Sequence, residues 1–451
     1  MEMVLPKGWG SFNISLLTGY NGLFSDGDWV ESKDQDPNGD VRLIQLADIG
    51  ENEFKDKSNR FLNQEKADEL KCTFLKKNDV LIARMPDPIG RSCIFPLSGK
   101  YATVVDIAIV RFDQKYFNPF LFSYLVNSPS IRKQMLNLAS GSTRQRISRR
   151  NLDTILFPLP PLSEQERIVV KLEKLFAQHE KIKKALDHIP QLLKTFRQRV
   201  LTYAITGKLT EQWRVGKNVE EWKTEKAQYC CLKVQSGGTP KGSKFTSSGI
   251  PFLKVYNIVN NKIDFDSEPQ YVSEEIHTTQ IKKSIAYPGD VIMNIVGPPL
   301  NKIAILTNQY PEWNLNQAIT IFRVKEYLNN RFLYYFFCEG TSVKSLGHDL
   351  RGVVGQANIS LSQCRNFDIP IPPLQEQQEI VRKVESLFAK ADIIEAGYQS
   401  LKAKIDNLPQ VILNKAFKGE LVPQLSTDGD VKDLLAEIMA LNTDSQRKRG
   451  K

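Results

Sequence analysis

At 451 residues with a formal net charge of +10 and a pI near 9.1, the chain has room for about three domains of roughly 150 residues and a charge that suits a polyanionic partner. Its six cysteines form no CxxC pair and it has only four histidines, which argues against a disulfide framework or a metal site and for reduced thiols in a cytoplasm. The N-terminus MEMVLPKGWG lacks the basic and apolar regions of a secretory signal, and no apolar run reaches the ~20 residues that span a bilayer, so a cytoplasmic protein is expected.

The first segment, 1–157, reads as a mixed α/β head. Stretches 41–46, 80–83 and 107–112 are β-rich and bounded by Gly, Pro, Asn and Asp, which marks them as strands. Residues 119–127 read as a short aromatic helix of the core. Two polar, basic loops lie between these elements, 84–93 (RMPDPIGRSC) and 140–148 (SGSTRQRIS).

A helical block follows at 158–217. Ser163 with Glu166 three residues on forms a capping box after Pro160-Pro161. Ile168, Leu172, Leu175, His179, Ile182, Leu186, Ile189, Leu193, Phe196, Val200 and Tyr203 then alternate at spacings of 4 and 3, the seam of a coiled coil. Straight from 164 to 205, such a helix is roughly 60 Å long; Pro190 inside it predicts a kink or a restart. Twelve Lys and Arg against six Asp and Glu concentrate the chain's positive excess in this block.

The second head, 218–369, repeats the plan with strand signals at 252–255, 291–295 and 319–324, an aromatic helix at 330–338, and polar loops at 294–303 (NIVGPPLNKI) and 352–360 (GVVGQANIS). The second helical block, 370–425, carries the seam Ile380, Val384, Leu387, Ala391, Ile394, Tyr398, Leu401, Ile405, Leu408 and Ile412, with a weaker cap at Gln375 and with Pro409 inside, which again predicts a kink or a restart. In the tail, 426–451, residues 427–441 read as a short amphipathic helix that docks near the first head. The closing QRKRGK reads as a solvated, disordered end.

The two halves are copies. Residues 158–177 (PLPPLSEQERIVVKLEKLFA) return 212 residues later as 370–389 (PIPPLQEQQEIVRKVESLFA), with 13 of 20 positions identical. Within the heads only a framework survives: Leu43-Ile44-Gln45 faces Phe252-Leu253-Lys254, Asp79-Val80 faces Asp290-Val291, and Arg111 faces Arg323. The scaffold is kept while the surfaces diverge, which describes two reading heads of one design. Each seam needs a partner and the other seam is the natural one. Antiparallel pairing then gives an approximate two-fold arrangement, a head at each end and both termini on one side.

Arg, Lys, Gln and Asn on loops are the side chains that reach base edges in a major groove, whereas Ser, Thr and backbone amides position on phosphate. The candidates for DNA contact are Gln45, Arg84, Arg91, Arg144, Gln145 and Arg146 in the first head, and Lys254, Asn257, Asn301, Lys302, Gln356 and Asn358 in the second. Arg91 and Lys302 occupy matching positions, which points to a shared phosphate or groove-edge contact. Chemistry is harder to find. A base-holding loop of an adenine methyltransferase needs a polar residue before Pro-Pro and an aromatic one after it, and Gly297-Pro298-Pro299-Leu300 has neither. There is no P-loop and no GxGxxG turn.

The repeated P-x-P-P-L-x-E-Q at 158–165 and 370–377, the L-F-A at 175–177 and 387–389, the exits AITGKL and AFKGEL, and the SGGTP at 236–240 resemble the specificity subunits of type I restriction-modification enzymes over nearly the whole length. The resemblance implies two target recognition domains, each reading half of an asymmetric bipartite site in double-stranded DNA. It implies spacer helices that set the gap, bind two adenine methyltransferase subunits through the coil (Ile168, Leu172, Leu175, Leu186, Ile380, Leu387 and Leu401 at its seam), and recruit restriction and translocase subunits. S-adenosylmethionine, ATP and Mg would belong to those partners, with no cofactor, metal or catalytic residue in this chain. One departure is expected in the first head, where LTGYN at 17–21 stands in place of an SGGTP turn. The competing reading is a stand-alone DNA-binding or scaffolding protein whose coil pairs only with itself.

Overall fold

The computed structural model describes residues 5–86, 88–141, 144–243, 245–347 and 358–449. It divides into unit 1, Met1–Leu186 with Ser400–Lys451, and unit 2, Asp187–Gln399. Both are mixed α/β, and both are built on one plan.

In unit 1 an antiparallel sheet runs in the order Leu23–Asp26, Ile107–Arg111, Val80–Ala83, Ser92–Ile94. All four residues of Val80–Ala83 are buried, because the sheet is covered on both sides. Val80, Ile82, Ala108 and Val110 face the helices in one core, and Leu81, Ala83, Ile107 and Ile109 join Ile44 and Phe95 in another. A second sheet places Val41–Ile44 antiparallel to Phe61–Leu62 and parallel to Tyr101–Thr103. Unit 2 repeats this with Cys231–Ser236, Ile319–Val324, Val291–Asn294, Ile303–Ile305 in one sheet. In its second sheet Ile250–Leu253 runs antiparallel to Tyr271–Val272 and parallel to Trp313–Leu315, which Ile285–Ala286 joins at the far edge. The aromatic helices are Pro119–Val126 and Asn330–Glu339.

The framework residues shared by the two heads form an ion pair. Arg111 grips the fully buried Asp79 through Nε and Nη2, both at 2.7 Å, and Arg323 grips Asp290 at 2.9 and 2.8 Å. Each carboxylate also closes its own turn, accepting from Lys76 N and Tyr287 N respectively, at 2.8 Å in both.

The glycine turn of the second head has a counterpart in the first, at Asp26-Gly27-Asp28 rather than at Leu17–Asn21. Gly27 N donates to Ile107 O and Gly237 N to Ile319 O, both at 2.8 Å. A Cβ on Gly27 would lie 2.2 Å from Val104 O, and one on Gly237 2.1 Å from Asn316 O, so the chain at each turn passes too close to its neighbour for any side chain. Residues 17–21 instead close a short helix, Ile14–Thr18.

The spacer helices differ from expectation in three ways. The first begins at Leu162, with Glu164 N and Gln165 N both donating to Pro161 O at 2.9 Å. Ser163 therefore lies inside the helix, where its hydroxyl bonds Asp428 at 3.0 Å, and the capping box with Glu166 does not form. Pro190 makes the restart expected of it, since one helix ends at Asp187 and the next opens at Ile189, but at Pro409, where a kink or restart is expected as well, Leu374–Phe417 continues as one helix.

The third difference is in the seam. In unit 1, Leu172, His179 and Leu186 are buried, as are Ile405 and Ile412; in unit 2, Leu193, Val200, Val384, Ala391 and Tyr398 are. These are single positions seven apart. Of the alternate positions, Ile168 and Ile380 are buried where the helices leave the heads; further along, Leu175, Ile189, Leu387 and Leu408 are half-buried, and Ile182, Phe196, Tyr203, Ile394 and Leu401 are exposed. Leu401 is thus not a seam residue. A helix with 3.6 residues per turn drifts from a 3.5 repeat, and here one row per heptad stays at the contact. Within each unit the pairing is antiparallel: His179 Nε2 lies 2.9 Å from Ile405 O in unit 1, and Arg197 meets Asp392 and Glu395 at 2.6 and 2.9 Å in unit 2.

The C-terminal helix, Val431–Arg449, lies against the start of unit 1. Val431 and Leu435 cover Gly10, Asn442 donates to Leu16 O at 2.9 Å, and Tyr116 bonds Glu437 at 3.0 Å. Residues 446–449, expected to be disordered, continue the helix. Among the described residues no helix is long and apolar enough to cross a membrane.

Arg111→Leu leaves Asp79 charged, buried and unpaired, and should destabilise the head by about 3–5 kcal/mol in denaturant unfolding; Arg323→Leu should act in the same way on the other head. Asp428 accepts from Arg167 at 2.7 and 2.6 Å, and these hydrogen bonds hold its carboxyl well below the usual carboxylate range. A depressed acid stabilises above its unfolded pKa and loses that contribution as pH falls through the folded one. Docking of residues 419–449 should therefore be full at neutral pH and weaken below about pH 4, read as faster hydrogen exchange in that segment. Asp428→Asn should be loosened at every pH.

Candidate nucleic-acid interface

Each head offers its polar groups from the same three places: the end of a central strand, the loop after the buried strand, and the segment before a short helix. In unit 1 the strand Val41–Ile44 runs into a single helical turn, Leu46–Asp48, where Gln45 N donates to Asp48 at 2.8 Å. In unit 2 Ile250–Leu253 runs into Val255–Asn257, where Lys254 N donates to Asn257 at 2.9 Å. Gln45 is half-buried at a cavity of about 390 Å³ that it shares with Trp29, Asp28 and Asp106. Lys254 holds its ammonium 4.5 Å from the Phe245 ring centre and 5.9 Å from that of Tyr256, a cation–π seat that fixes a flexible chain.

Arg91 and Lys302 occupy equivalent places, as the repeat indicates, since Ala83 N donates to Arg91 O and Asn294 N to Lys302 O. What they share is internal. Arg91 donates to Leu46 O and Lys302 to Val255 O, both at 3.3 Å, so each cation ties the loop to the helical turn beside Gln45 or Lys254. Their common charge is explained by this carbonyl as well as by any ligand.

Other candidates separate into inward and outward groups. Asn257, 1% exposed, gives its amide to Asp264 O and Glu268 O and so turns into the fold instead of towards a ligand. Asn301 adopts a left-handed φ of 63° and donates to Phe337 O at 3.1 Å. Asn358 bridges to Val296, and Gln356 lies outside the described residues. Arg144 and Gln145 are exposed. Arg84, 2% exposed, pairs with Asp26 at 2.9 Å; burial lowers its pKa and Asp26 opposes that shift. Arg146 is half-buried, reaches Val105 O at 3.0 Å and lies 3.4 Å from Asp106.

The structure brings in residues beyond the loop candidates. Arg84 and Arg146 meet Arg149, Arg150, Asp26 and Asp153 around an open cavity of about 700 Å³. The signal was present in RQRISRR at 144–150, four arginines in seven residues. Trp29, 67% exposed beside Gln45, gave no signal, because a single aromatic in a turn is not distinctive.

The family described as type I restriction modification DNA specificity domain matches the chain twice, at residues 7–191 and 220–403. The chain belongs to this specificity family. Its relatives include the type I restriction enzyme EcoKI specificity subunit of Escherichia coli (strain K12), 29% identical over 76% of this chain and 75% of that protein. The EcoBI specificity subunit of Escherichia coli is 32% identical over 75% of this chain and 74% of that one. The HsdS subunit from Thermoanaerobacter tengcongensis is similar in fold, with a TM-score of 0.65 and 19% identity over 93% of this chain and 98% of that chain. The two matches of the specificity family each contain one head, with its duplicated ion pair and glycine turn.

If Arg91 and Lys302 are turn-holding cations, Arg91→Ala should cost about 1–2 kcal/mol of local stability. It should speed hydrogen exchange at residues 46–49, while Arg144→Ala should leave that exchange unchanged.

Proposed function

We propose that this specificity subunit reads an asymmetric, bipartite target in double-stranded DNA, one half with each head. The carrying observation is the pattern of likeness between the heads: the buried pair Asp79–Arg111 recurs as Asp290–Arg323, and Gly27 recurs as Gly237 with the same backbone bond. The groups offered to a ligand do not recur, since Gln45 is answered by Lys254 and Arg146 by Asn358. A frame repeated under altered contact residues suits two readings made by one device.

In this reading the chain performs no chemistry and binds no cofactor. It presents DNA to two adenine methyltransferase subunits, which supply the S-adenosylmethionine site, and restriction and translocase subunits bring ATP and Mg. The exposed apolar residues on the spacer helices, among them Ile182, Leu192, Phe196, Ile393, Ile394 and Leu401, support partner docking there: one row per heptad is used inside each unit, and beyond the buried Ile168 and Ile380 the adjacent row is left open. The gap between half-sites would then follow the spacing that the helices impose.

Exchange of residues 1–157 for the first head of a relative tests the proposal. Single-molecule sequencing of methylated adenines should show one half of the target changed, with the other half and the gap kept. A simultaneous change in both halves, or the same methylation in cells without the chain, would be incompatible with it.

A further inference from the structure

The cavity around Arg84, Arg146, Arg149 and Arg150 is a different feature from the base-reading turns. Its lining carries four guanidinium groups and two carboxylates, and both carboxylates are already engaged. Asp26 pairs with Arg84, and Asp153 accepts from Ser15 N at 2.8 Å and Ser15 Oγ at 2.6 Å. Arg84 is almost wholly buried, yet its Nε has no hydrogen-bond partner, a costly state for a charged donor at the wall of a cavity. Arg149 is held in place: it donates to Phe24 O at 3.2 Å and lies 5.9 Å from the Phe24 ring centre. Arg149 and Arg150 are themselves exposed.

Shape decides what such a group of arginines fits. Base edges lie recessed in a groove, and a side chain that reads them must project from the protein. A concave, cationic site suits a group that projects from the DNA, and in a duplex that group is the phosphate ridge. Guanidinium matches it with paired donors.

The described residues of the second head do not keep this site. Ile147 N donates to Arg84 O and Ile359 N to Ile295 O, at 3.0 and 2.8 Å, and the short helices Arg149–Asp153 and Leu361–Arg365 are both capped by a serine, Ser148 and Ser360. By this register Arg84, Arg146, Arg149 and Arg150 correspond to Ile295, Asn358, Leu361 and Ser362. Among the described residues, a cation returns only where the first head has Asp153: it is Arg365, which is turned onto Val234 O and Gln235. Arg351 lies outside the described residues.

We propose that the first head carries a clamp for the DNA phosphate backbone that the second head lacks, so that the two heads divide the electrostatic part of binding unequally. This rests on the reading of the chain as a DNA specificity subunit. Phosphate contact is independent of sequence, so the test needs no knowledge of the target.

The full chain, in complex with its modification subunits, is titrated with a short duplex of random sequence over a range of KCl concentrations. Each phosphate contact contributes about 0.9 to the slope of log K against log salt. Arg149→Ala with Arg150→Ala should therefore flatten the slope by about 1.8, Arg149→Lys with Arg150→Lys should retain most of it, and Arg365→Ala should leave it as in the wild type. An unchanged slope in the alanine pair, or a lysine pair that behaves like the alanine pair, overturns the clamp. A slope that falls by about one in Arg365→Ala overturns the asymmetry. Failure of the wild-type complex to bind duplex at all would remove the functional reading together with the clamp, whereas wild-type binding with an insensitive slope removes the clamp alone.

Discussion

The joint between each head and its spacer helix rests on one pair of residues, the Glu-Gln of the repeated P-x-P-P-L-x-E-Q. Gln165 accepts from Asn118 N at 3.0 Å and donates to Pro160 O at 3.0 Å; Gln377 accepts from Asn329 N at 2.7 Å and donates to Pro372 O at 2.8 Å. One side chain thus ties the first turn of a spacer helix to the cap of the aromatic helix in its head. The preceding glutamate does the same towards the edge strand, taking the indole N–H of Trp9 at 2.9 Å in one copy and of Trp222 at 3.0 Å in the other. About three turns further along each helix, Phe176 stacks on Tyr124 and Phe388 lies edge-on to Tyr335. A ruler is useful only if its ends are fixed, and buried hydrogen bonds fix an angle as apolar packing alone does not.

That requirement explains which part of the sequence stayed legible. The 13 identities in 20 residues coincide with this joint, where Pro, Glu, Gln, Leu and Phe each have a geometric task. The strands were legible for another reason: with both faces of the central sheet covered, Val80–Ala83 and Val291–Asn294 are buried at every position and read as short unbroken apolar runs. The ion pair left its trace as Asp79 with Arg111 and Asp290 with Arg323, although sequence alone gave the alignment and not the contact.

What sequence misjudged was set by longer-range geometry. A 4-3 alternation describes the apolar residues of both helices correctly, but Leu401 and Ile394 are exposed, because periodicity does not say how wide a stripe the partner covers. Ser163 has a capping pattern and a different employment, since Asp428, 265 residues away, claims its hydroxyl. The glycine turn of the first head was obscured because Asp26-Gly27-Asp28-Trp29-Val30 shares only one glycine with the SGGTP it matches. Its identity lies in a backbone bond to Ile107.

Divergence between the heads is not confined to their surfaces. The helix capped by Asn63 places Ala67 at a position where the helix capped by Ser273 places His277, and the strand residues paired with Leu43 and Phe252 are Ala102 and Asn314. An apolar pair in one head is thus a polar chain in the other. Ser284 gives its one hydroxyl proton to Ile281 O and so must accept from Asn314 Nδ2 at 3.2 Å. The amide oxygen of Asn314 then faces His277 Nδ1 at 2.7 Å, while Nε2 meets Glu312 at 2.7 Å. Each of these polar groups has a partner within hydrogen-bonding distance, which is the condition under which a buried polar cluster can replace an apolar one without unfolding its surroundings. The scaffold therefore accepts changes of interior chemistry as long as hydrogen bonding closes, and this latitude lets one frame support two heads that differ both inside and out.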